Sequence, residues 1–66
     1  MLDNNTYNLF SQLVEEHRSL WRIKDTYKKD ASDSRCLECI AFWDRMVTDK
    51  EERIKELVGL IKEHLK

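Results

Sequence analysis

The sequence predicts an all-α fold, an antiparallel two-helix hairpin whose apolar faces associate into a four-helix bundle of two chains. Three observations carry that expectation. Proline is absent and glycine occurs once in 66 residues, while Leu, Lys, Glu and Arg abound, a composition that favours helix over strand. Apolar residues recur with helical period in two long stretches. Between those stretches lies the one segment where the rhythm lapses and cap-forming residues cluster, Lys28-Lys29-Asp30-Ala31-Ser32-Asp33-Ser34-Arg35.

A single domain follows, with a first helix over about 5–29, a turn over about 30–34 and a second helix over about 34–65. In the first helix Leu9, Phe10, Leu13, Val14, Leu20, Trp21, Ile23 and Tyr27 fall on one side, and Gln12, Glu15, Arg18, Ser19 and Arg22 on the other. Asp3, Asn4, Asn5 or Thr6 is suited to cap its start, and Lys28 and Lys29 complement the dipole at its end. The turn offers Ser32, Asp33 or Ser34 as the cap of the second helix. From Cys36 onward the apolar side collects Cys36, Cys39, Ile40, Phe42, Trp43, Met46, Val47, Ile54, Leu57, Leu60 and Ile61. Gly59 falls on the polar side, where glycine costs about 1 kcal/mol relative to alanine.

The width of these arcs argues for assembly. Each is wider than the roughly 100° stripe of a helix with one neighbour, so one hairpin leaves apolar side chains facing water. A core this small supplies only about 3–5 kcal/mol, and small chains are commonly completed by disulfides, a metal or a second chain. The expected interface comprises Phe10, Leu13, Leu20, Trp21, Trp43, Met46, Ile54, Leu57 and Ile61, the partner being a second copy or another helical protein.

Charge and hydropathy exclude several functions. With Lys+Arg 12 against Asp+Glu 13 the formal net charge is -1, and the signs are interspersed, so no basic field draws nucleic acid. No run approaches the roughly 18 apolar residues of a membrane span, and the start has neither the basic region nor the apolar stretch of a signal peptide. A soluble, cytoplasmic chain is the expectation.

Chemistry is sought where polar residues break the apolar arcs, at Glu16, His17, Lys24, Lys50, Arg53 and His64. An antiparallel hairpin brings Glu16 level with Met46, Val47 and Lys50, which makes Glu16 and Lys50 neighbours. That layer admits an ion pair at the core edge, or a metal site in which Glu16 and His17 act as ligands. Cys36 and Cys39 share a face at the opening of the second helix, the spacing of dithiol redox centres and of half a zinc site, although cysteine on an apolar face also packs as a small hydrophobe.

The patches Glu15-Glu16-His17 and Asp49-Lys50-Glu51-Glu52-Arg53-Ile54 are similar to the carboxylate-bearing helices of the ferritin-like and rubrerythrin-like group. The resemblance implies a helical-bundle architecture with iron held by carboxylates. It covers these two patches only and lacks the Glu-x-x-His pair on which that group's metal chemistry rests. Sequence therefore favours a non-enzymatic helical interaction module without a cofactor. The alternative is a zinc- or iron-binding or thiol-redox bundle protein using Cys36 and Cys39, or Glu16 and His17.

Overall fold

The computed structural model describes residues 3–65. Helix α1 (Asn4–Arg22), a π-helical turn (Ile23–Tyr27) and helix α2 (Lys28–Asp33) follow one another without a break and form one rod. Helix α3 (Leu37–His64) returns along it, so that Asn5 meets His64 at one end and Lys28 meets Asp44 towards the other. The result is all-helical among the described residues, measuring 48 × 17 × 13 Å, one helix thick in its narrowest direction.

Asp3 starts the rod. Its backbone is extended (φ -72°, ψ 168°) and its carboxylate accepts the Thr6 N–H at 2.7 Å, satisfying one of the free donors of the first turn. The same backbone bond is the chief reason that the Asp3 carboxyl lies below its ordinary value.

The two helices meet along a single seam. On the first rod it runs through Thr6, Leu9, Leu13, Glu16, Leu20 and Ile23, and on α3 through Ile40, Trp43, Val47, Lys50, Ile54, Leu57 and Ile61. Each of these is buried or half-buried, and the spacing alternates three and four, the period by which neighbouring helices interdigitate at a small crossing angle.

Beyond Ile23 that alternation would next place 27 and 30 at the seam, burying Asp30. The π turn prevents it. Lys28 N–H bonds the carbonyl of Ile23, five residues back, while Ile23 N–H is shared between the carbonyls of Ser19 and Leu20. One extra residue is thereby accommodated, the helix is re-phased, and Ala31 (7% exposed) is buried while Asp30 stays in solvent. Tyr27 reaches Trp43, their ring centroids 5.1 Å apart, and Trp43 meets Phe42 edge to face at 5.0 Å.

The turn comes later than the sequence suggests. Helix persists through Asp33, and the reversal uses Ser34, Arg35 and Cys36. Cys36 N–H bonds Ala31 C=O at 3.1 Å and Arg35 N–H bonds Ser32 C=O at 3.0 Å, the paired bonds of a Schellman motif. Ser32 and Asp33 are thus inside α2 and Ser34 closes it, so none of them caps α3. That role falls to Cys36, whose Sγ accepts the Cys39 N–H at 3.2 Å. Arg35 takes the left-handed conformation (φ 57°) that the motif requires and that glycine adopts at least cost.

Two substitutions follow. A Cβ added at Gly59 meets nothing within 4 Å, so Gly59→Ala is expected to stabilise the fold by about 0.5–1 kcal/mol. Arg35→Gly relieves the left-handed arginine and is expected to contribute a similar amount, about 0.5–1 kcal/mol. Urea unfolding at matched protein concentration checks both, and the sites are distant enough for the gains to add.

Candidate functional site

Three places in the hairpin carry residues singled out above: a polar layer at mid-seam, a cysteine pair at the turn, and an exposed apolar stripe on α1.

The polar layer is an ion pair with a complete shell. Lys50 Nζ donates to Glu16 Oε2 at 3.0 Å, Gln12 Nε2 donates to Glu16 Oε1 at 3.0 Å, and Arg53 Nη1 stands 3.6 Å from the same oxygen. The Glu16 side chain is 7% exposed and that of Lys50 12%. Burial raises the Glu16 carboxyl, but the hydrogen bonds from Lys50 and Gln12 and the charges of Lys50 and Arg53 outweigh it, and the group lies below its ordinary value. The balance is reasonable for a structure one helix thick, where cover comes from a thin layer of long side chains. No buried side-chain nitrogen or oxygen among the described residues lacks a partner.

This arrangement leaves little for a metal. Both Glu16 oxygens are engaged by cations or amide hydrogens, and the adjacent His17 projects roughly 100° away around the helix onto an exposed flank. Glu16 and His17 therefore do not converge. Among the described residues no group of three or more His, Cys, Asp or Glu side chains is placed to hold a metal ion. Lys24 pairs with Glu51 at 3.7 Å on the surface, and His64 Nε2 lies 3.4 Å from Asn5 Nδ2 where the ends of the hairpin meet.

At the turn, Cys36 and Cys39 are joined as a disulfide, with Cα atoms 5.2 Å apart. Cys39 is exposed and Cys36 half-buried, so the pair lies at the surface of the cap rather than inside the apolar face. Lys28 and Asp44, bridged at 2.6 Å, and the Tyr27–Trp43 contact close the hairpin nearby.

The residues expected at an interface divide. Leu57 and Ile61 are buried against the chain's own first helix, and Leu13, Leu20, Trp43 and Ile54 are half-buried at the same seam. Phe10 and Met46 are half-buried just beside it, and Trp21 is 67% exposed. Two residues not named for the interface join Trp21: Tyr7 (62% exposed) and Val14 (48%). Tyr7, Val14 and Trp21 each follow a seam residue by one position, as Phe10 and His17 do, and recur at intervals of seven. The seam residues Thr6, Leu13 and Leu20 recur at the same interval, so the spacing alone does not tell the two rows apart. Phe42 and Leu60 each precede a seam residue by one and so lie on the opposite broad face.

Acid should act on the polar layer. The depressed carboxyl contributes stability that is fully present above its unfolded value and is lost as pH falls through the lower folded value. Glu16→Gln is expected to destabilise the fold by about 1–3 kcal/mol at neutral pH and to flatten the acid limb below about pH 4.5, read by urea midpoints across pH. Replacing the pair together, Glu16→Leu with Lys50→Met, is expected to restore most of the loss.

Comparison with models of known families, with curated proteins and with solved structures gave no match, so the chemistry of these three places stands on the geometry alone.

Proposed function

We propose that this chain is a non-enzymatic self-association module, two hairpins pairing through the α1 stripe Tyr7, Phe10, Val14 and Trp21 into an antiparallel four-helix bundle. The observation that carries this reading is the stripe itself, three large apolar side chains half to two-thirds exposed at a seven-residue interval on one helix. Seven is the interval at which a left-handed pair of helices keeps one face in contact. The covered core is small, its buried apolar residues among the described residues being Ile23, Ala31, Leu57 and Ile61. A second layer of helices is the ordinary completion of such a hairpin.

The stripe is self-complementary when reversed. With two copies antiparallel about a two-fold axis between positions 14 and 17, Phe10 of one faces Trp21 of the other, Val14 faces His17, and Tyr7 faces Lys24. Aromatic rings then meet an aromatic ring or a cation at every outer layer. Such a contact is isologous and closes at two chains. A contact of one helix stripe per chain is a small interface, the class in which weak, reversible associations fall.

Sedimentation equilibrium on the full chain tests the reading. The expected result is a reversible shift from the 8.0 kDa chain mass towards twice that value over micromolar concentrations. Trp21→Ala should weaken association about 30-fold, as loss of a buried tryptophan anchor does, while Phe42→Ala on the opposite face should leave it unchanged. A wild-type chain that stays monomeric to about 100 μM overturns self-association and leaves a different helical partner as the occupant.

A further inference from the structure

We propose that the Cys36–Cys39 disulfide is a thiol–disulfide exchange site for small monothiols, attacked at Cys39 with Cys36 as the leaving group. A structural staple is the first alternative, and the position argues against it. The bond spans a sequence separation of 3 within one helical turn, so the loop it closes is too short to restrain much of the unfolded chain. It also joins no two elements that the backbone bonds of the turn do not already hold.

The two sulfurs are not equivalent. Cys39 is exposed, within reach of a nucleophile from solvent, whereas Cys36 is half-buried at the cap of the 28-residue α3. Cys36 Sγ accepts the Cys39 N–H at 3.2 Å, so negative charge arriving on that sulfur finds a donor already aimed at it and the positive end of a long helix behind it. A groove of about 280 Å³, walled by Tyr27 and Trp43 and bordered by Asp30 and Ser34, opens beside both sulfurs and has room for a small thiol.

The reaction closes in two displacements. An incoming thiolate donates its electron pair to Cys39 Sγ; the Cys36–Cys39 bond breaks, its pair passes to Cys36 Sγ, and Cys39 is left in a mixed disulfide with the small thiol. A second thiolate attacks the small-molecule sulfur of that mixed disulfide and releases Cys39 as thiolate. The two monothiols leave as one oxidised disulfide, the protein has gained two electrons, and the two protons the monothiols shed are taken up by Cys36 and Cys39. In reverse, the Cys39 thiolate attacks an oxidised small disulfide, forming the mixed disulfide and releasing one small thiolate, and the Cys36 thiolate then attacks Cys39 Sγ, re-forming the protein disulfide and releasing the second.

The experiment uses the oxidised full chain with reduced glutathione, acid-quenched within seconds, and the mixed disulfide mapped by peptide mass spectrometry. The adduct is expected on Cys39 in roughly fivefold excess over Cys36, the size of a leaving-group preference set by a modest difference in thiol acidity. Equal labelling, a preference for Cys36, or a disulfide unreduced by about 10 mM thiol overturns the proposal. A second readout is thiolate absorbance against pH in the single-cysteine chains. Asp30 and Tyr27 border the groove and Arg35 and Glu38 flank the cysteines, so both sulfurs share these charges and the N–H bond sets them apart. Cys36 in the Cys39→Ser chain should therefore hold its thiolate to lower pH than Cys39 in the Cys36→Ser chain. The opposite order overturns the leaving-group assignment.

Discussion

Everything in this hairpin depends on a single seam one helix thick. Each helix has one neighbour, so the positions that leave water are those alternating by three and four along the contact, from Thr6 to Ile23 and from Ile40 to Ile61. An apolar seam of such uniform spacing would tolerate sliding by a helical turn. The Glu16–Lys50 pair opposes it, because a shift in either direction sets Glu16 against Val47 or Ile54 and leaves a carboxylate without its ammonium. Gln12 and Arg53 complete the shell, which makes the layer a register lock rather than a ligand set.

The π turn solves a second problem of the same seam. A strict alternation carried past Ile23 would bury an aspartate, and one added residue exchanges Asp30 for Ala31 at the contact. That re-phasing also aims Tyr27 at Trp43 and sets where the rod ends. The Schellman bonds from Arg35 and Cys36 then fix the reversal, and their geometry leaves Cys36 as the residue that caps α3. The cysteine pair thus owes its environment to an irregularity that ends nine residues upstream of Cys36.

The seam takes up Leu9, Leu13, Leu20, Ile23, Ile40, Trp43, Val47, Ile54, Leu57 and Ile61, and the apolar side chains outside it include Tyr7, Val14 and Trp21 on α1 and Leu37, Phe42 and Leu60 on α3. The α1 stripe and the turn disulfide lie in separate parts of the molecule, the first on the flank of the rod between Tyr7 and Trp21, the second at the hairpin tip. A pairing surface along α1 leaves the tip open to solvent. Assembly and thiol exchange are therefore compatible in one small chain. No helix of the described residues is long and apolar enough to cross a membrane.

Local sequence was enough for the elements and their direction. Helical periodicity and the lapse between positions 28 and 35 indicate two helices and a reversal, and an antiparallel count from that lapse brings Glu16 beside Lys50, where the structure has them. What lay beyond it were features set by competition between distant groups. Ser32, Asp33 and Ser34 are all good caps by type, yet Cys36 caps α3 because burial of Ala31 prolongs the first rod. Likewise a helical wheel merges Leu13 with Val14 and Leu20 with Trp21 into one wide arc. Only the position of α3 divides each pair into a side chain that is covered and one that is not, because a helix with a single neighbour can bury just the residues that point at it.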